Sequence, residues 1–145
     1  MASVFDVAKY ILKKQGKMST WKLHKLCYYA QAWALAWSDG RPLFEEDFQA
    51  WTNGPVCRDL YDLHKGEYLI SVDELSTGSI DNLTEDETET INTVLDFYGE
   101  KTPFWLREQT HDELPWKEVR GGIPENERCE KTISKESIGA YYGSL

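Results

Sequence analysis

The sequence has no stretch of about 18 consecutive apolar residues, which a membrane-crossing helix needs. Its opening, Met1-Ala2-Ser3-Val4-Phe5-Asp6, has no basic segment leading into an apolar one, so a secretion signal is not expected. Cysteine is scarce and odd in number: Cys27, Cys57 and Cys129 lie too far apart for a disulfide framework, and they read as free thiols in a reducing cytoplasm. Also missing are the glycine patterns that cradle phosphates, G-x-x-x-x-G-K-[ST] and G-x-G-x-x-G, and the G-x-S-x-G turn that presents a serine nucleophile. Together these absences argue against a membrane partner, a nucleotide cofactor and the commonest hydrolase design.

What is present is aromatic and acidic. The 145 residues are 41% hydrophobic and include 6 Trp and 8 Tyr, a composition that excludes a disordered chain. The length suits one domain spanning residues 1–145, large enough to bury about 68–70% of its unfolded surface without disulfides or metal. The formal net charge of −9 is unevenly spread. Residues 1–37 carry Lys9, Lys13, Lys14, Lys17, Lys22 and Lys25 against Asp6 alone, so the acids are concentrated in the rest of the chain. An acidic body repels nucleic acid and anionic membranes and favours a basic partner.

Hydrophobic spacing predicts helices. Ser3 and Asp6 can cap a first helix over about Val4–Gln15, with Val4, Val7, Ala8, Ile11 and Leu12 on one face. Ser19 or Thr20 can cap a second through about Trp37, whose apolar set of Leu23, Leu26, Cys27, Ala30, Trp33, Ala34 and Trp37 is widened by Trp21, Tyr28 and Tyr29. That breadth marks the second helix as central. Around Phe48 and Ala50 the pattern fits a short strand or an extended arm. Asn53-Gly54-Pro55 reads as a stop followed by a helix from Pro55 to about His64, since proline suits the first helical position. Residues 67–83 read as a loop with a short strand near Tyr68-Leu69-Ile70. Thr84-Glu85-Asp86-Glu87 is a capping box for a helix carrying Ile91, Val94, Leu95 and Tyr98. Thr102-Pro103 opens another helix, Pro115-Trp116 a short turn, and Ser134 caps a last helix. The expected fold is mainly α: a compact single-domain bundle of five to six helices with at most a small strand pair. Its core is expected to include Leu23, Leu26, Ala30, Trp33, Val56, Leu60, Ile91 and Leu95.

Few residues suggest chemistry. His24 and Cys27 are three apart on a helix, but zinc takes four ligands and no other candidates stand at ligand spacing, so no metal site is expected. Thr110-His111-Asp112-Glu113 sets an imidazole beside carboxylates, and Cys57 could be its nucleophile; the plainer reading is a helix end whose polar groups bond the backbone. The first two helices could form a helix–turn–helix, but an aromatic second helix reads as buried, and only Lys22 and Lys25 could contact DNA.

Several strings together resemble one family. They are Lys22-Leu23-His24-Lys25-Leu26-Cys27-Tyr28-Tyr29-Ala30-Gln31-Ala32-Trp33, Pro42-Leu43-Phe44, and Gln49-Ala50-Trp51-Thr52-Asn53-Gly54-Pro55-Val56 with Leu60-Tyr61. Tyr98-Gly99, Thr110-His111 and Pro115-Trp116 follow in order. The pattern is similar to the Panacea domain, found in the SocA antitoxin and in phage-associated GepA-like proteins, and extends over about residues 5–142. His24 and Cys27 depart from it, since the family pattern usually has Gln and Leu there.

The resemblance implies a non-enzymatic antitoxin that neutralises a cognate toxin by direct binding, and that in SocA-like members can deliver it to a protease. The alternatives are a DNA-binding regulator and, further off, a hydrolase using His111. Candidate partner contacts are Trp21, Lys25, Tyr28, Tyr29, Trp37, Trp51, Asn53 and Tyr61. Leu23, Leu26, Trp33, Gly54, Pro55, Val56, Thr110, His111, Pro115 and Trp116 are expected to hold the motif in shape.

Overall fold

The computed structural model describes residues 1–145. Helix α1 (Val4–Gln15) begins in a capping box in which Ser3 and Asp6 satisfy each other's backbone N–H groups. Strand β1 (Met18–Ser19) leads into α2 (Thr20–Trp37), capped by the Ser19 hydroxyl. Thirteen of the 18 residues of α2 are buried, on all sides of the helix rather than along one stripe. Packed around it are α1, α4 (Glu85–Tyr98), α5 (Pro103–Asp112) and α7 (Lys135–Gly143).

A three-stranded antiparallel sheet lies against α2. Its order is β3 (Gly54–Cys57), β2 (Phe48–Trp51), then β5 (Thr132–Ile133). Strand β4 (Leu69–Ile70) pairs with β1 in a separate two-stranded sheet. Helix α3 (Arg58–His64) follows β3, and α6 (Leu114–Arg120) follows α5. One apolar core of 33 buried residues joins these elements and includes Leu23, Leu26, Ala30, Leu60, Ile91 and Leu95. Val56 is fully buried, while Trp33 is half-buried and donates from Nε1 to the Tyr98 hydroxyl at 3.1 Å.

The expected bundle of five to six helices with at most a strand pair is therefore corrected to seven α-helices and five strands in two sheets. The strands are two to four residues long; those near Phe48 and Leu69 were expected, but β1, β3 and β5 are too short for alternation to register in sequence. Pro55 misled for a physical reason. It does not start a helix but lies in β3 opposite Ala50. The Ala50 N–H donates to Lys131 O and its carbonyl accepts from Arg120, so both point away from Pro55. Pro55 thus occupies a non-hydrogen-bonded pair, where a missing N–H costs nothing. The helix after it starts only at Arg58, and Pro115 sits in the first turn of α6 rather than in an isolated turn.

Candidate functional site

The β2–β3 hairpin is fixed by groups from three helices. From α2, His24 Nδ1 accepts the Cys57 N–H at 3.2 Å. From α6, Trp116 Nε1 donates to Trp51 O at 2.9 Å and Arg120 Nη1 donates to Ala50 O at 2.8 Å. The third support is Gly54, at φ 118°, where a Cβ would stand 2.9 Å from Lys25 Cε and 3.1 Å from Thr110 Oγ1. Only a glycine lets the hairpin turn close over α2 and α5 in this way.

This anchoring aims Trp51 at Tyr61 of α3, with ring centroids 4.9 Å apart and planes at 64°. Trp21, Trp51, Asn53 and Tyr61 then line a cleft of about 540 Å³, completed by Thr52, Arg58, Lys65 and, from the segment after α6, Asn126, Arg128 and Cys129. That segment is shaped by Arg120, whose Nη2 donates to the carbonyls of Pro124, Glu125 and Glu127. Trp116 lies between Arg120 and His111: the guanidinium is 4.8 Å from its ring centre, and the imidazole stacks on it at 3.7 Å.

Lys25 lies beneath this cleft. It is 1% exposed, and its Nζ has no hydrogen-bond partner. Burial, with Arg107 adding repulsion, pushes its ammonium down to about 7. His24 and His64 meet through their Nε2 atoms at 2.6 Å. Because His24 Nδ1 accepts a backbone N–H, its proton sits on Nε2 and is donated to His64. Both rings are thereby held neutral. Burial lowers both pKa values, and for His24 the nearby His64 and Lys25 add to it.

The other expected contacts separate. Tyr28 and Tyr29 are core, not surface. Tyr29 stacks on Tyr98 at 4.0 Å, and the hydroxyls of Tyr29 and Tyr142 both donate to the buried Glu113, at 2.7 and 2.6 Å. Trp37 is 54% exposed, but it stands 16 residues from Trp21 on the same helix, about 24 Å along the axis at ~1.5 Å per residue. Leu23, Leu26, Val56, Thr110, His111, Pro115 and Trp116 are buried supports. Arg120 was not singled out from the sequence, where a last-turn arginine looks like a surface residue, and Glu113 was named there only as a carboxylate beside His111, not as the buried acceptor it is.

The groups weighed for hydrolysis, His111 and Cys57, are not brought together here. The Cys57 thiol is buried and pushed up to about 12, chiefly by burial, so it is not a thiolate at neutral pH. His111 bonds Glu125 through Nδ1 at 2.8 Å and stacks on Trp116, with no hydrogen bond to Cys57. Glu108, His111 and Glu125 bring possible metal-ligand atoms within 4.8 Å of one another, but the Arg107 guanidinium already reaches Glu108 at 2.6 Å and Glu125 at 3.6 Å. With α2 buried all round, no face of it is free to enter a DNA groove.

Residues 23–117 match the family model of the SocA-like antitoxin, Panacea domain. The chain belongs to the SocA-like Panacea domain family. No curated protein and no solved structure matches it. The matched Panacea span runs from Leu23 in α2 to Lys117 in α6, so it contains the hairpin, α3 and α5. Trp21 and the segment after α6, which close the cleft, lie outside it. No helix is long and apolar enough to cross a membrane.

Proposed function

We propose that this Panacea protein is the antitoxin of a toxin–antitoxin pair, and that it neutralises its toxin by holding it in the cleft of Trp21, Trp51, Asn53 and Tyr61. The observation that carries the reading is convergence. Strings separated in sequence, one at the start of α2 and one in the hairpin, place their large side chains around one opening. Half-buried Trp and Tyr in a concave site are the residues that anchor protein interfaces. The remaining charge of the molecule is acidic, which favours encounter with a basic toxin.

Growth tests this directly. The neighbouring gene product, expressed alone, should arrest cells, and co-expression of this protein should restore growth and yield a co-purifying complex. Rescue without any complex would reject direct binding. Rescue that requires a host protease would favour delivery of the toxin for degradation over simple blockage.

A further inference from the structure

Among the buried cations, Lys25 is the one whose charged atom has neither a hydrogen bond nor an ion pair, with only the Trp21 ring, 5.5 Å away, facing it. Its Nζ makes no hydrogen bond and no ion pair, and the charge that acts on it is the like charge of Arg107. Two observations connect it to the cleft. Trp21 lines the cleft and holds its ring centre 5.5 Å from Nζ. Gly54, whose neighbour Asn53 also lines the cleft, passes so close that a Cβ would be 3.2 Å from Nζ. The ammonium is therefore one layer beneath the cleft floor.

The walls carry the same sign. Arg58, Lys65 and Arg128 line the cleft, and no acid does. Arg58 pairs with Asp62 and Glu130, and Arg128 pairs with Glu130, which leaves Lys65 without an ion pair. On a chain of net charge −9, this is a local cationic, aromatic-walled recess with a desolvated ammonium behind it. A buried charge is destabilising unless something pairs with it. A methionine of similar length would fill the same space without that cost, so the charge serves something other than folding.

We propose that the cleft is a receptor for a carboxylate side chain, an aspartate or glutamate presented by the bound partner, and that the Lys25 ammonium beneath the floor supplies charge that stabilises it there. This rests on the reading of the cleft as the toxin-binding site. A carboxylate arriving there, flanked by Trp21 and Trp51, is attracted by the ammonium through a low-dielectric floor, where Coulomb attraction is stronger than in water. Its arrival also favours the protonated form of Lys25, so binding is accompanied by proton uptake above neutral pH.

The test is calorimetric titration of the full chain with hexaglutamate, in buffers of different ionisation enthalpy slightly above neutral pH. Hexaglutamine, inorganic phosphate and a thymidine oligonucleotide serve as comparison probes. Hexaglutamate should bind with proton uptake, and hexaglutamine should not bind. Lys25→Met, and independently Lys25→Gln, should weaken binding by at least about tenfold and abolish the proton uptake while the melting temperature holds or rises. Absence of hexaglutamate binding, equal binding by both folded variants, or equal affinity for phosphate or the oligonucleotide would each overturn the proposal. If Lys25→Met binds the toxin with wild-type affinity, the carboxylate receptor fails and the antitoxin reading stands. If no toxin co-purifies with the wild-type chain, the antitoxin reading itself fails.

Discussion

Lys25 and Gly54 constrain each other, and each makes a measurable prediction. The folded pKa of Lys25, about 7, is below its unfolded value of 10.5. Between those values the unfolded chain binds more protons, so this group's contribution to stability rises with pH and is lost as pH falls from 10.5 towards 7. Melting of wild type and Lys25→Met at about pH 7 and about pH 9 should therefore differ most at the lower pH, with the variant the more stable. A wild-type advantage at neutral pH would contradict the burial of an unpaired ammonium. At Gly54 an added Cβ meets both a φ of 118° and the Lys25 side chain at 2.9 Å. Gly54→Ala should cost about 1–3 kcal/mol in strain. The added variant Lys25→Ala should recover the contact part and leave the backbone part, as a double-mutant cycle in denaturant would show.

At the scale of elements, most helices were legible, and so were short strands near Phe48–Trp51 and Leu69–Ile70, but β1, β3 and β5 were not. Ser3, Ser19, Thr84, Thr102 and Ser134 each cap the helix that their position announces, because capping is a local bond between a hydroxyl and a nearby N–H. The sheet depends instead on groups far apart in sequence: Arg120 on Ala50 O, Trp116 on Trp51 O, and Lys131 O accepting the Ala50 N–H. Nothing local to Gly54-Pro55 separates a hairpin from a helix start. Trp51, Asn53 and Tyr61 were legible from the motif strings and Trp21 from its place beside them, but Tyr28 and Tyr29 were grouped with them. Sequence spacing does not show that α2 is packed on all sides. The hairpin's link to α2 also titrates. With both rings held neutral and their pKa values lowered from 6.5, the native state binds fewer protons than the unfolded chain as acid is added. Stability from this pair is complete above the unfolded value and is lost as pH falls below it. His24→Gln keeps an acceptor for the Cys57 N–H and removes one titrating ring. Its melting temperature should fall less between neutral pH and about pH 5 than that of wild type. A variant with the same acid slope would place the acid sensitivity elsewhere.

The whole molecule combines an acidic body with one cationic recess, and the two act over different distances. If the partner is the basic toxin proposed above, long-range attraction sets an on-rate that falls as salt rises, while contacts inside the cleft set the off-rate. An exposed aromatic also stands outside the cleft, since Trp37 is 54% exposed at the far end of α2 from Trp21. The most direct measurement of the account is therefore a comparison of surfaces: affinity for the co-purifying toxin of Trp51→Ala and Tyr61→Ala against Trp37→Ala, each with its melting temperature. Loss of about 2 kcal/mol or more of binding at Trp51 or Tyr61, with melting preserved and Trp37→Ala unaffected, is the predicted result. Loss confined to Trp37→Ala, with both cleft variants binding as wild type, would contradict the claim that the toxin is held in the cleft.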